Sequence, residues 1–216
     1  DEKCKLLKRD EKKLEALPDE YSKLYLAIDG KLCAVICIFD PIREEAPEII
    51  DGLRKLGISK ICMMTGDAEK TAAAVAAQLH LDEFHAEVLP GTKAEFVRKE
   101  HAAGRKVIMI GDGVNDTPAL SEADVGIAIS DGAAIAREVA DVTIAADNLR
   151  ELVFLRKLSM ALMRRIHSNY NFIIGFNALL IALGVGGILP PATGALLHNG
   201  SALVTGLKSM TNLLEE

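Results

Sequence analysis

Several features that mark common classes of binding protein are missing from this sequence. It has no tryptophan, and aromatic residues make up only 4% of it, so the stacking surfaces that bind single-stranded nucleic acid are not expected. The formal net charge is −6 and there is no long basic run, which removes the electrostatic reason to expect nucleic acid. The glycine-rich phosphate loop that ends in Gly-Lys-Ser or Gly-Lys-Thr is also missing. We therefore predict neither a nucleic-acid partner nor a P-loop mechanism.

Cysteine is scarce and follows no metal or disulfide pattern. The four cysteines are Cys4, Cys33, Cys37 and Cys62, and they include no CxxC pair. Cys33 and Cys37 would share one face of a strand, a spacing compatible with a metal pair. We favour the other interpretation, buried free thiols in a reducing compartment.

Apolar residues make up 50% of the 216 residues, and they are concentrated near the C-terminal end. Phe172 to Leu189 carries no charge, and as a helix it would reach roughly 27 Å, close to the thickness of a bilayer core. Ala192 to Leu207 is a second, weaker apolar segment. Basic residues precede the first segment and Lys208 follows the second, which predicts that both ends of this hairpin are cytoplasmic. We expect an integral protein of the plasma membrane with its soluble part in the cytoplasm.

Strand and helix patterns alternate through the soluble part. A hairpin is predicted over Leu24–Phe39 with its turn at Asp29-Gly30, and a helix from Asp40-Pro41 to Gly57. Further strands are predicted at Ile58–Met64, Phe84–Val88, Val107–Ile110, Val125–Ile129 and Val142–Ala145. Helices are predicted at Ala68–Leu79, Thr92–Ala103, a short stretch ending at Ala123, Ala133–Ala140 and Leu149–His167. The alternation predicts an α/β fold with a doubly wound, mostly parallel, Rossmann-type sheet, followed by a transmembrane helical hairpin.

Three loops with reactive side chains follow consecutive predicted strands. They are Thr65-Gly66-Asp67, then Pro90-Gly91-Thr92-Lys93, then Gly111 to Asp116 with Asp112 and Asn115. The carboxyl ends of parallel strands share one edge of a sheet, where open α/β folds bind ligands. We therefore expect hydroxyl, ammonium and carboxylate groups to converge there. This combination suits phosphoryl transfer, because Lys and Thr hold phosphate oxygens and carboxylates hold Mg²⁺.

The order of these motifs, TGD, then LPGTK, then GDGVNDTPAL, resembles the phosphorylation domain of P-type ATPases, members of the haloacid-dehalogenase-like superfamily. DGKLCAVICIFDPIREEAPEII looks like the return from their nucleotide-binding domain. Phe176-Asn177 and HNGSALVTGLKSMTNLL are similar to the last two membrane helices of the heavy-metal-transporting branch. The resemblance implies three parts: the end of a nucleotide-binding domain (1–39), a phosphorylation domain without its nucleophile segment (40–148), and a basic linker helix with two transmembrane helices (149–216).

The resemblance also implies a Mg²⁺ and phosphate site. Asp112 would ligate Mg²⁺, with Asp116 as a second candidate ligand. Asn115 and Asp116 would support the phosphate site, and Lys93 would contact the phosphoryl group. Taken singly, the structural alternatives are a solvated lysine at a helix start for Lys93 and a turn residue for Asp116.

ATP is the second implied cofactor. Thr65, Gly66 and Asp67 would lie beside the aspartyl phosphate and the nucleotide. The alternative for Asp67 is a helix cap.

A second candidate site lies in the apolar C-terminal segments. His198 and Asn199 are polar residues within the second segment, and such residues are functional candidates in a membrane. His suits borderline transition metals, and Asn177 is placed to face it from the preceding helix. We predict these three residues as ligands of a transported transition-metal cation, the alternative being a polar pair that bonds between helices.

Motifs that such pumps carry elsewhere are missing. The sequence has no D-K-T-G-T segment with the nucleophilic Asp, no T-G-E segment and no C-P-C-type motif. It also has no Met at position 1, so we expect the C-terminal part of an ATP-driven heavy-metal export pump, with the remainder of the pump polypeptide as partner. Without the nucleophile the chain alone is predicted to be inactive. The alternatives are a membrane-anchored phosphatase of the same superfamily and a catalytically inactive regulatory domain.

Overall fold

The computed structural model describes residues 14, 16–17, 21–29, 31–38, 41–112, 115–129, 138–145 and 148–214. The chain divides into two compact units, Asp1–Leu152 and Val153–Glu216. The three functional parts expected from the sequence remain a prediction. The predicted helix over Ala133–Ala140 lies largely outside the described residues, as do Gly30 of the hairpin turn and Asp40.

The elements follow the alternation that the sequence predicts. In chain order they are β1 (Ser22–Ile28), β2 (Lys31–Ile38), α1 (Ala46–Lys55), β3 (Cys62–Met64), α2 (Glu69–Gln78), β4 (Glu83–His85), α3 (Pro90–Ala102), β5 (Ile108–Gly111), α4 (Thr117–Glu122), β6 (Val125–Ile129), β7 (Val142–Ile144), α5 (Arg150–Val185) and α6 (Pro191–Ser209). β6 has its predicted bounds, whereas β3 is four residues shorter at its start than predicted.

Strand pairing confirms the α/β class. β1 and β2 form the predicted antiparallel hairpin. β3 pairs in parallel with β4, and β5, β6 and β7 form a parallel sheet in that order. Within the described residues the parallel strands therefore form two separate hydrogen-bonded sheets rather than one. In each of them a strand that leads into a predicted active loop, β3 or β5, has one edge with no strand paired to it in the part of the chain that the structure describes.

Helix α1 begins later than predicted. The predicted start was Asp40-Pro41, but the helix begins at Ala46. A start at Pro41 would place Pro47 in the helix interior, where proline removes a backbone hydrogen bond. Starting at Ala46 puts Pro47 in the first turn, where its missing N–H costs little. The predicted end is confirmed, since Gly57 has a φ of 86° in the left-handed region that glycine tolerates.

A small apolar core joins α3, α4 and β5. Its buried members are Ala94, Val97, Met109, Ala119 and Leu120. Val97 and Leu120 are the largest side chains that are fully buried. Because α3 carries Lys93 and α4 follows the Gly111–Asp116 loop, this packing holds two of the three predicted loops against each other.

The C-terminal unit differs from its prediction in one respect. The basic helix Leu149–His167 and the apolar segment Phe172–Leu189 were expected as separate elements, but they form the single helix α5, because no proline or glycine lies between them. Among the described residues, α5 is the one helix long and apolar enough to cross a membrane. The second predicted segment forms the 19-residue helix α6, and its membrane insertion remains a prediction.

The expectation of buried thiols was wrong for two cysteines. Cys33 and Cys37 are exposed, whereas Cys62 is half-buried, and all three are free thiols. Both cysteines lie on β2, and large apolar residues of the β1–β2 hairpin, such as Leu24 and Ile36, are also more than half exposed. Much of the side-chain surface of the hairpin is therefore exposed to solvent. Cys4 lies outside the described residues.

Candidate functional site

The loop after β3 is organised by its own side chains. The hydroxyl of Thr65 donates a hydrogen bond of 2.7 Å to Oδ2 of Asp67. The backbone N–H of Asp67 donates back to the Thr65 hydroxyl at 3.1 Å. Thr65 is half-buried, while Gly66 and Asp67 are exposed. Asp67 is not the cap of α2, because the cap position is Ala68 and no side chain caps it.

Backbone hydrogen bonds join this loop to the segment that follows β4. Thr65 N–H donates to the His85 carbonyl at 3.0 Å, and Val88 N–H donates to the Thr65 carbonyl at 2.9 Å. Glu87 N–H donates to the Asp67 carbonyl, also at 2.9 Å. Because residues 87 and 88 lead directly into α3, the first and second predicted loops are neighbours at the carboxyl ends of β3 and β4.

The second loop forms the first turn of α3. The helix begins at Pro90, two residues before the predicted start. The Thr92 hydroxyl donates to the Leu89 carbonyl at 2.7 Å, which uses its donor within the turn. Lys93 projects from this turn, and its Nζ lies 2.7 Å from Oδ1 of Asp116. The alternative of a solvated lysine was therefore wrong, since the Lys93 side chain is only 16% exposed.

Asp116 connects the second loop to the third. It occupies the cap position of α4, but its side chain makes no capping hydrogen bond. Its backbone carbonyl accepts from Leu120 N–H at 2.9 Å, and its buried carboxylate pairs with Lys93. A role in turn geometry alone does not explain a buried, ion-paired carboxylate, because burying a charge is costly unless it is paired.

The approach of Asp116 to β5 requires glycine at position 111. A Cβ atom added to Gly111 would lie 2.3 Å from Oδ2 and 2.6 Å from Cβ of Asp116. Real Cβ atoms do not approach other atoms that closely. The first glycine of the GDGVND motif thus provides space for the carboxylate that holds Lys93.

Asp112 has the properties of a cation ligand. It is exposed at the end of β5, and its Oδ1 accepts a hydrogen bond of 3.2 Å from Asn115 N–H. An exposed carboxylate oriented by the backbone is a hard oxygen donor of the kind Mg²⁺ prefers, so the residues present fit this ion. Asp112 fits better than Asp116, whose Oδ1 already contacts an ammonium group. The convergence of Thr65, Lys93 and Asp112 on one phosphoryl group remains a prediction.

A buried acid on α3 was missed by sequence reasoning. Glu100 is only 6% exposed; it pairs with Arg105 and, at 3.1 Å, with Lys60. The Arg105 guanidinium first, and Lys60 second, lower the pKa of Glu100 to about 2. Glu100 lies two helical turns after Lys93 and ties α3 to the residues before β3 and β5. Nothing in the local sequence distinguishes it from a solvated glutamate.

In the C-terminal unit the structure brings two of the three predicted metal ligands together. Nδ1 of His198 on α6 lies 2.9 Å from Oδ1 of Asn177 on α5. Asn199 is exposed. The contact agrees with both interpretations of the sequence, a pair of metal ligands and a polar pair between helices.

The chain resembles known proteins in both sequence and structure. The family of haloacid dehalogenase-like hydrolases matches residues 3–124. The chain is 45% identical over 176 residues to copper-transporting ATPase 2 of Rhizobium meliloti (strain 1021), a match that covers 82% of this chain and 21% of that protein. It is 43% identical over 181 residues to the zinc-exporting P-type ATPase of Mycobacterium marinum, covering 83% of this chain and 25% of the relative.

A solved structure agrees with the sequence matches. The crystal structure of a zinc-transporting PIB-type ATPase in the E2P state superposes with a TM-score of 0.75 and 29% identity. The match covers 94% of this chain and 33% of that one. The chain thus spans about a fifth to a third of the length of these relatives.

Proposed function

Because the chain belongs to the family of haloacid dehalogenase-like hydrolases, and its relatives include copper and zinc ATPases, we propose that it forms the C-terminal part of an ATP-driven export pump for a transition-metal cation. The pump works through an aspartyl-phosphate intermediate whose Asp lies outside this sequence. The observation that carries the proposal is the 2.7 Å ion pair between Lys93 and Asp116, which joins the LPGTK and GDGVND motifs into one site.

In this proposal the three loops divide the work of phosphoryl transfer. Lys93 places a positive charge beside the phosphoryl oxygens, and Asp116 holds that ammonium group in position. Pre-oriented charge of this kind stabilises a transition state at little reorganisation cost. Asp112, oriented by the Asn115 backbone, holds Mg²⁺, which when bound neutralises phosphate charge.

The loop after β3 serves the phosphate and the nucleotide. The Thr65 hydroxyl, held beside Asp67, is placed to donate to a phosphoryl oxygen. Gly66 adds no side chain, and apart from its chain neighbours no atom of the described residues lies closer than 4.0 Å to the position of an added Cβ, which leaves room for a ligand. Thr65 and Asp67 are the proposed contacts to ATP and to the aspartyl phosphate.

The proposal divides the chain into three parts, of which the last would take part in transport. Residues 1–39 are the end of a nucleotide-binding domain, 40–148 the phosphorylation domain, and 149–216 the linker and two membrane helices. The soluble part and both ends of the hairpin are cytoplasmic, and the pump lies in the plasma membrane. Exposed apolar residues along α5, such as Ile181 and Val185, support contact of this helix with lipid. Asn177 and His198 line the path of the metal, with Asn199 beside them.

The proposal can be tested on the polypeptide itself. We expect the purified 216-residue chain, incubated with Mg²⁺ and γ-labelled ATP, to form no acid-stable phosphoenzyme, because it lacks the nucleophile. The full-length protein serves as the positive control and is expected to label. Labelling of the short chain at one of its own aspartates would refute the proposed division and favour a self-sufficient phosphatase. Failure of the full-length protein to label would favour a catalytically inactive domain.

Transport is tested separately at His198. Replacing His198 with Ala in the full-length protein removes an imidazole ligand, so we expect metal-stimulated ATPase activity to fall at least tenfold, while phosphorylation by inorganic phosphate remains. Ser201→Ala on the same helix is a matched control, because the Ser201 hydroxyl donates only to the His198 backbone carbonyl at 2.7 Å. Unchanged stimulation of His198→Ala by every transition metal tested would remove it as a ligand.

A further inference from the structure

A cluster of side chains of the kinds that bind metals lies on β3 and β4, and it includes no side chain of the loops described above. The parallel register pairs Cys62 with Glu83 and Met64 with His85. Residues two apart on a strand point to the same face, so Glu83 and His85 lie together, and Cys62 lies beside Glu83. The Cys62 sulfur, a Glu83 carboxylate oxygen and a His85 ring nitrogen all lie within 4.8 Å of one another.

These distances suit a bound ion after small side-chain adjustments. Zinc binds sulfur at about 2.3 Å and nitrogen or oxygen at about 2.0–2.2 Å, so tetrahedral ligand atoms lie about 3.3–3.6 Å apart. His85 Nε2 and Glu83 Oε1 are 2.9 Å apart and need to separate only slightly. If the Cys62 side chain rotates so that its sulfur moves by about an ångström, the sulfur reaches the distance from the other two ligand atoms that a tetrahedral site requires. All three side chains are half-buried, which limits competition from water while leaving a path for an ion.

Neighbouring residues already orient two of the ligands. Lys60 pairs with Oε2 of Glu83 and leaves Oε1 directed at His85. The ring of Phe96 on α3 meets the His85 ring edge-on, with centroids 4.8 Å apart. Ligand orientation by surrounding groups of this kind is a regular feature of metal sites. Neither contact needs to break when an ion binds.

We propose that Cys62, Glu83 and His85 form a binding site for a borderline divalent transition-metal ion such as Zn²⁺. Thiolate, imidazole and carboxylate together select this class of ion over Mg²⁺. On binding, the Cys62 thiol releases its proton to solvent as the metal–sulfur bond forms. In the free site Nε2 of His85 carries the proton that it donates to Oε1 of Glu83. On binding, this hydrogen bond is given up, the neutral imidazole takes the tautomer with its proton on Nδ1, and Nε2 binds the ion, with water in the fourth position. Cys62 precedes Thr65 by three residues, about 10 Å along an extended chain, but the His85 carbonyl accepts a hydrogen bond from Thr65 N–H at 3.0 Å. The proposed site therefore adjoins the first phosphate loop and shares none of its side chains.

The test uses the whole 216-residue chain in detergent micelles and Co²⁺ as a spectroscopic probe. Sulfur–cobalt charge-transfer absorption appears only when a thiolate binds the ion. We expect this absorption in the unaltered chain and in Cys33→Ser, and its loss in Cys62→Ser. His85→Ala and Glu83→Gln are each expected to weaken Co²⁺ binding by about tenfold or more, and Zn²⁺ should displace Co²⁺. Absorption that persists in Cys62→Ser would overturn the proposal.

A second measurement needs no variant and therefore does not depend on the folding of one. Saturating Zn²⁺ is added to the unaltered chain at pH 8, and alkylation of each cysteine is followed by peptide mass spectrometry. We expect Zn²⁺ to slow the alkylation of Cys62 at least tenfold and to leave the exposed Cys33 unaffected. Equal alkylation of Cys62 with and without Zn²⁺ would contradict the proposed site. His198 contributes to neither readout, because both report on sulfur.

Discussion

Lys93 and Asp116 are each weak indications of a functional site in the sequence, and their contact in the structure makes the indication stronger. Each residue alone has an ordinary structural explanation, as a lysine at a helix start and an aspartate in a turn. Their side chains are 16% and 10% exposed, so both charges are largely removed from water. Ion pairs in such a position stabilise a fold little compared with apolar side chains of similar size. The pair is therefore better explained by a requirement for a fixed ammonium group at the end of the sheet.

This contact can be broken without changing either charged residue. In Gly111→Ala the new methyl group would lie 2.3 Å from Oδ2 of Asp116, so the carboxylate must move and release Lys93. We expect the free energy of unfolding to fall by about 1–3 kcal/mol, the usual range for added atoms in a packed site. Urea denaturation of the 216-residue chain in micelles, followed by far-UV circular dichroism, measures the change.

Gly91→Ala is the matched control for that substitution. Gly91 is in the first turn of α3, and among the described residues no atom outside the adjoining chain lies within 4 Å of a Cβ added there. Its effect on stability is expected to be within about 0.5 kcal/mol, as for ordinary surface changes. If Gly111→Ala were as stable as Gly91→Ala, the close approach of Asp116 to β5 would be wrong.

At the scale of elements, the contacts that α3 makes through Glu100 depend on the ionisation of that carboxyl group. Arg105 and then Lys60 lower the pKa of Glu100 from 4.5 to about 2. A carboxyl group whose pKa is lower in the folded state stabilises that state above its unfolded pKa. Its contribution is therefore fully present above about pH 4.5 and is lost as pH falls to about 2. Glu100→Gln removes this contribution and leaves two cations facing a neutral amide.

We expect Glu100→Gln to unfold at lower urea concentration than the unaltered chain at pH 7, and the difference to shrink between pH 4.5 and 2. Denaturation midpoints of both chains across this pH range measure it. Glu95→Gln is the control, because Glu95 is exposed on the same helix and should cost little at any pH. A difference that stays constant down to pH 2 would show that Glu100 acts through its shape rather than its charge.

The elements themselves were largely predictable, whereas their contacts were not. The alternation of strand and helix patterns located α2, α3 and β6, and composition helped, since the stretch that forms α2 is rich in alanine, the strongest helix former. The start of α1 was missed because the capping signal at Asp40-Pro41 was given more weight than the constraint from Pro47. The sequence divided α5 into a basic helix and an apolar segment, but a change from basic to apolar composition does not interrupt helical hydrogen bonding.

For the candidate site, the motifs supplied residue types but no distances. The partners Lys93 and Asp116 are 23 residues apart, and their contact depends on the packing of α3 against α4. The cluster of Cys62, Glu83 and His85 depends on the register between two short strands, which three-residue segments cannot specify by pattern. Sequence reasoning therefore identified the loops and missed the cluster.

At the scale of the whole molecule, the sheet containing β5 has an open edge and exposed apolar residues in the part that the structure describes. Parallel strands are normally covered on both faces, yet Ile108 and Ile110 of β5 are 44% and 36% exposed. β5 pairs only with β6 within the described residues, which leaves an edge of backbone groups for another strand. β5 ends next to Asp112, the proposed Mg²⁺ ligand. A segment that paired with this edge in parallel would end beside the proposed phosphate site, where the proposed mechanism requires a nucleophile.

We predict a difference in amide hydrogen exchange between the 216-residue chain and the full-length protein. Pairing with a further strand would protect backbone amides, so we expect the amides of Ile108–Gly111 to exchange at least tenfold more slowly in the full-length protein. β6 provides the internal control, because it already pairs on both sides and should change far less. Peptide-resolved exchange measured by mass spectrometry compares the two proteins. Equal exchange of β5 in both would mean that the nucleophile reaches Asp112 from a loop rather than from a strand of this sheet.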